Sequence, residues 1–159
     1  MSTSDLTMTE NAKLNNVGQS NPYACAIPSI SKGSHTFKTK ITSNNVHNFF
    51  GFVEKSWYES HKSDLRWTQQ NTIFMYCSRS CIFVDGSEKV KHPSGKQVNC
   101  SNNPVIVTTV NFESGEVVYK VENGEEIGRT TFDKLKSGSW YYCVICGGGS
   151  PSATLELVP

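Results

Sequence analysis

The chain has 159 residues, a formal net charge of +1 from 15 basic and 14 acidic groups, and only 18% charged residues. That length makes one domain the default, and the charge balance argues against nucleic acid or an anionic membrane as the main partner, because both select a basic face. No apolar run approaches the ~18 residues of a membrane span, and the opening MSTSDLTMTENAKLNN lacks the apolar stretch of a secretory signal.

The chain therefore reads as intracellular and cytoplasmic. Its six cysteines are then expected as reduced thiols rather than as three disulfides, and the sequon Asn99-Cys100-Ser101 is expected to be idle. Residues 1–13 are polar and without periodicity, a flexible lead to a single domain over 14–159. Asn15 to Asn21 is turn-forming, and Tyr23 to Ile27 is a short apolar run closed by Pro28. After a turn at Ser31-Lys32-Gly33, His35, Phe37, Thr39 and Ile41 alternate with Thr36, Lys38 and Lys40. Such period-two alternation marks a strand with one dry face.

Phe49 to Val53 is an apolar run around Gly51, a candidate buried strand. Glu54 to Trp67 is expected as a long polar and aromatic loop, a length that is often functional. Thr72 to Cys77 and Cys81 to Val84 read as strands, and Asp85 to Asn99 as a polar connection with a Pro-Ser-Gly turn. Asn103 to Gly128 carries the clearest pattern. Ile106, Thr108, Val110 and Phe112 share one face, and Val117, Tyr119 and Val121 another. Ser114-Gly115 supplies the first turn of this meander; Asn123-Gly124 supplies the second, expected as a type I′ hairpin with both central residues at positive φ. Phe132 to Ser139, the strand WYYCVIC, a glycine run and Ala153 to Val158 follow. No amphipathic helix is visible. Short strands spaced by turn signals predict an all-β, two-sheet antiparallel sandwich.

The order of these features resembles the SPRY domain. Gly33 to Ile41 stands where that family has a glycine-led "hyF-vki" strand, and Phe50-Gly51-Phe52-Val53 where it has an "iGva" strand. The closest pieces are Glu113-Ser114-Gly115-Glu116-Val117-Val118-Tyr119 and Asn123-Gly124-Glu125-Glu126-Ile127-Gly128. Tyr142 to Ser150 and Ala153 to Leu157 complete the match. Three positions depart from it: Asn111 replaces the usual aspartate, Cys143 the usual proline, and Phe37-Lys38-Thr39 lacks the common aromatic-Glu pair. The resemblance implies a bent, concanavalin-like jelly-roll sandwich without catalytic activity. Loops at one end would capture a short peptide or a protein surface, as in an adaptor. It implies a monomer and no cofactor. Asn21 and Tyr23 would lie in a first binding loop, Glu54 and Lys55 in a second, Gly148 and Ser150 in a late one.

The residues themselves add Trp57, Tyr58 and Trp67, set among His61, Asp64 and Arg66. Aromatics flanked by charge are typical of recognition surfaces, though they also cap core edges. A lectin-type carbohydrate-binding sandwich is the alternative, because exposed tryptophans stack on sugar faces. Cys77-x3-Cys81 and Cys143-x2-Cys146 have spacings compatible with a four-thiolate zinc site. However, residues three apart in a strand face opposite sides, so buried thiols are the expectation and no metal is assigned. No nucleophile elbow or phosphate loop is present, so no catalytic residue is assigned and the chain is expected not to be an enzyme.

Overall fold

The computed structural model describes residues 23–25, 29–41, 48–61, 69–77, 80–91, 98, 104–146 and 155–158. The flexible lead expected over 1–13 lies outside them. Eleven strands form two antiparallel sheets among the described residues. In chain order they are β1 (Tyr23–Cys25), β2 (Ser34–Ile41), β3 (Asn48–Glu54), β4 (Thr72–Tyr76), β5 (Cys81–Val84), β6 (Ser87–Lys91), β7 (Val105–Asn111), β8 (Glu116–Val121), β9 (Glu126–Thr131), β10 (Trp140–Cys146) and β11 (Leu155–Val158). One sheet has the order β1-β10-β3-β4-β5-β6, and the other β11-β2-β7-β8-β9. The expected all-β sandwich is the observed architecture.

Alternation decides which side chains enter the sandwich. Phe37 and Thr39 of β2, Ile106, Thr108 and Val110 of β7, and Val117 and Tyr119 of β8 face inward and are buried. Opposite them lie Phe50 and Phe52 of β3, Ile73 and Met75 of β4, and Trp140, Tyr142 and Val144 of β10. The two layers meet in stacked rings: Phe37 and Tyr142 lie 4.3 Å apart at 9°.

The middle of the six-stranded sheet, over β3, β4 and β10, is dry on its other face too. Phe49, Val53, Phe74, Tyr141, Cys143 and Ile145 form a second buried cluster, with Trp57, Tyr58 and Tyr76 packed on it. This explains why Phe49 to Val53 shows no polar alternation: β3 is buried on both sides from Asn48 to Val53. Gly51 is required between them. It pairs with Phe74, and a Cβ there would run into the Ile73 carbonyl oxygen. A strand glycine at such a close backbone approach has a packing reason.

Several expectations need correction. The segment after Val53 is not a loop throughout, because Lys55–His61 is a helix, α1. Seven residues make a marginal helix in isolation. Here the Glu54 carboxylate caps it, accepting from the Trp57 backbone N–H at 2.8 Å and from the Ser56 hydroxyl. Trp57 and His61 then stack at 3.8 Å, one turn apart. The polar connection after Val84 contains a strand, β6. The two-residue turn Asp85-Gly86 joins it to β5, with φ of 49° and 77°. That is the positive-φ pair of a type I′ hairpin. The sequence reading placed this turn at Asn123-Gly124 instead. There only Asn123 is left-handed, at 57°, and a longer turn over 122–125 follows a register shift at Tyr119/Lys120.

Thiol chemistry also differs. Cys77 and Cys81 are buried thiols, as expected, but Cys143 is disulfide-bonded. Cys77, Cys81, Cys143 and Cys146 are therefore not available together as four thiolates.

Candidate functional site

One end of the sandwich carries α1, the turns after β5 and β7, and the connection after β9, all among the described residues. β3, β5, β7 and β9 finish there, and β4, β6, β8 and β10 begin there. Backbone and side-chain bonds link its parts. Lys55 N–H donates to Ser139 O at 2.8 Å, and Glu54 N–H to Asn71 O at 3.0 Å. Asn71 N–H donates to Asp85 Oδ1 at 2.7 Å, and Lys134 Nζ lies 2.9 Å from Asp85 Oδ2 and 3.2 Å from Asn71 Oδ1. Lys134 belongs to a single 3-10 turn over Asp133–Lys136 that follows β9. A partly exposed ion pair contributes little stability; its effect is to fix the end of one sheet against the end of the other.

On this rim α1 presents Lys55, Ser56, Glu59 and Ser60 to solvent, with Trp57, Tyr58 and His61 half-buried. Tyr58 meets the Tyr141 ring edge-on at 5.2 Å, and the Tyr141 hydroxyl donates to Glu59 Oε1 at 3.1 Å. Burial, and then the Glu59 carboxylate, push the Tyr141 phenol up, so it stays a donor. Burial also acts to raise the Glu54 carboxyl. The bonds from Ser56 and from the backbone N–H groups of Trp57 and Ser56 outweigh it and hold the group below the ordinary carboxylate range. The Trp57 Nε1 is buried and has no hydrogen-bond partner among the described residues.

Among the described residues, those of the sequence-predicted site do not all lie in one place. Glu54, Lys55, Trp57 and Tyr58 lie together on the rim just described. Tyr23 does not join them: it pairs with Ile145, which pairs with Phe49, whereas Glu54 pairs with Trp140. Five strand steps, about 17 Å, separate those two levels of the sheet. Asn21, Trp67, Gly148 and Ser150 lie outside the described residues. Glu59, Asn71, Asp85 and Lys134 were missed. The Asp85-Gly86 dipeptide could have located one of them, being a strong hairpin signal.

No three His, Cys, Asp or Glu side chains are grouped so as to hold a metal among the described residues. No helix there is long and apolar enough to cross a membrane. The rim offers half-buried aromatics, a carboxylate and an ammonium.

By sequence, no family model matches the chain, and neither does any curated protein. By structure it is similar to the SPRY domain of human HERC1, with a TM-score of 0.65 at 14% identity over 85% of this chain and 80% of that one. It is also similar to the TRIM65 PSpry domain, with a TM-score of 0.62 at 10% identity over 87% of this chain and 71% of that one. The chain has the SPRY fold.

Within the SPRY fold, the departures noted in the sequence find local explanations. Asn111 takes over the aspartate's place: its Oδ1 accepts from the backbone N–H groups of Glu113 at 2.9 Å and Ser114 at 3.1 Å. The side-chain carbonyl thus shapes the turn as a carboxylate would. Cys143 occupies mid-strand in β10, facing Gly51 on one side and Cys25 on the other.

Proposed function

We propose that this chain is a non-catalytic protein-interaction module, used as an adaptor, that takes a short peptide or a protein surface on the rim around α1. The SPRY fold supports an interaction role. The observation that carries the choice of surface is the fixing of Trp57 and Tyr58 against the six-stranded sheet, half-exposed beside exposed Lys55 and Glu59. Aromatics held rigid before a partner arrives lose little conformational freedom on binding, so more of the contact free energy appears as affinity. Lys55 and Glu59 then select a partner bearing both signs of charge or a peptide backbone. The near-neutral chain does not favour nucleic acid or an anionic membrane.

The test begins with selection of ligands from a displayed peptide library on the purified protein. Binding of a selected peptide is then compared across Lys55→Glu, Trp57→Ala and the remote control Lys120→Ala, with circular dichroism as the check on folding. Affinity should weaken about tenfold or more in the first two and hold in the control. Equal binding by Lys55→Glu and the unaltered protein would remove this rim from consideration. Saccharide binding on a glycan array, with no peptide enriched, would replace the reading with carbohydrate recognition.

A further inference from the structure

We propose that Asn123 is a site of spontaneous covalent modification: its side-chain amide closes on the backbone nitrogen of Gly124 and reopens as isoaspartate, at a rate set by opening of the turn over 122–125. Asn123-Gly124 is the one Asn-Gly dipeptide in the chain. Glycine matters because it puts no Cβ in the way of the approaching side chain. Both residues are exposed, and Asn123 holds a left-handed φ of 57°. Asp85-Gly86 shares the following glycine but offers a carboxylate, a poorer electrophile than an amide. Its oxygens are also held, by the Asn71 N–H and by Lys134.

The chemistry is acyl transfer followed by hydrolysis. The Gly124 nitrogen forms a bond to Asn123 Cγ, the Cγ–Nδ2 bond breaks, and the Gly124 N–H proton leaves with the departing ammonia. Water then opens the cyclic imide at either carbonyl. One opening gives aspartate; the other gives isoaspartate, with an added carbon in the main chain. No oxidant or reductant is involved. In the folded turn the nucleophile is occupied, because the Gly124 N–H donates to Val121 O at 2.9 Å. The turn is itself pinned: Glu122 N–H donates to Val105 O at 2.8 Å, and the Glu122 carboxylate meets Lys38 Nζ at 2.8 Å. Reaction therefore waits on local opening, which exposed turns undergo at far lower free energy than global unfolding. The product adds a carboxylate among Glu122, Glu125 and Glu126 and lengthens the turn that sets the β8/β9 register. β9 is an edge strand with one buried side chain, Ile127, so it is the element loosened.

Purified protein is held in mildly alkaline buffer with and without urea, then digested and mapped by mass spectrometry with fragmentation that separates aspartate from isoaspartate. In urea, Asn123 should convert ahead of every other asparagine, with isoaspartate among the products; the native rate should be lower by roughly tenfold or more. Another asparagine converting first in urea, or an unconverted Asn123, overturns the site, and equal rates overturn the gating by the turn. Aged native protein should then exchange amide hydrogens at Glu126–Thr131 faster by roughly tenfold, with Phe49 to Val53 unchanged. Asn123→Gly keeps a residue that accepts positive φ but has no amide to lose, so it should age without that change. Unaltered exchange in the aged protein, or the same gain in Asn123→Gly, overturns the effect on β9.

Discussion

The Tyr142 hydroxyl and Thr39 Oγ1 share a hydrogen bond of 2.8 Å at the centre of the sandwich, one partner from each sheet. Thr108 Oγ1 lies 3.4 Å from the same hydroxyl. The Tyr119 hydroxyl, also fully buried, has no hydrogen-bond partner among the described residues. Two phenols in one core are thus opposite cases. Tyr142→Phe strands the Thr39 hydroxyl and should cost about 1–3 kcal/mol, whereas Tyr119→Phe removes only an unsatisfied group and should be neutral or stabilising. Urea unfolding midpoints at an unchanged slope measure both. A larger loss for Tyr119→Phe would refute the assignment.

The same phenols give the protein an alkaline limit. Burial pushes Tyr142 up to about 12 from an ordinary 10.0, and burial also raises Tyr119 well above 10.0. The unfolded chain therefore releases these protons first. Stability from this source is complete below pH 10 and is lost as pH rises from about 10 through about 12. Unfolding midpoints measured across that interval should fall, and tyrosinate absorbance should appear together with loss of structure rather than before it.

Gly51→Ala and Gly128→Ala test two strand glycines that the sequence pattern treats alike. At Gly51 the added carbon meets the Ile73 backbone oxygen, which cannot move without separating β3 from β4. At Gly128 it meets the end of the Ile82 side chain at 3.2 Å, which can turn aside. Overpacking costs of about 3 kcal/mol or more are expected at the first site and about 1 kcal/mol or less at the second. Thermal melts of the two variants would rank them.

Removing the Glu54 carboxylate should loosen α1 without unfolding the sandwich. Glu54→Ala takes away the acceptor for the Trp57 N–H and is expected to cost about 1 kcal/mol. Acid should act in the same direction. The group sits below its ordinary 4.5, so its contribution is present above that pH and is lost as pH falls through the lowered value. The Trp57 amide signal in NMR spectra reports this locally. An amide shift that ignores both the substitution and acid would exclude the cap.

The meander was legible because its dry faces are on one side only, so Ile106, Thr108 and Val110 announce themselves by alternation. The outer face of the six-stranded sheet was less so. With Phe49 and Phe50 both buried, no period remains to say which neighbour points where. β6 was missed because its Ser87, Glu88 and Lys89 are exposed, and polar residues on an edge strand read like a loop. α1 was missed because a glutamate is an unusual cap and seven residues hold too few turns to show a stripe. Of the expected binding residues, the aromatic pair Trp57 and Tyr58 was singled out by composition, and the structure sets both half-buried on the rim. Which end each loop served could not be read, since strand direction depends on pairings between distant segments such as Tyr23 with Ile145.

The middle of the six-stranded sheet, β3 with β10 and β4 beside it, is buried on both broad sides, and this limits how the molecule can change. No residue from Asn48 to Val53 can be altered without disturbing packing above or below it. Adaptation to a new ligand must therefore be written in the connections, where substitutions leave the slab between them untouched. Loss of either covering exposes the same slab, so the layers should come apart together, as one cooperative event.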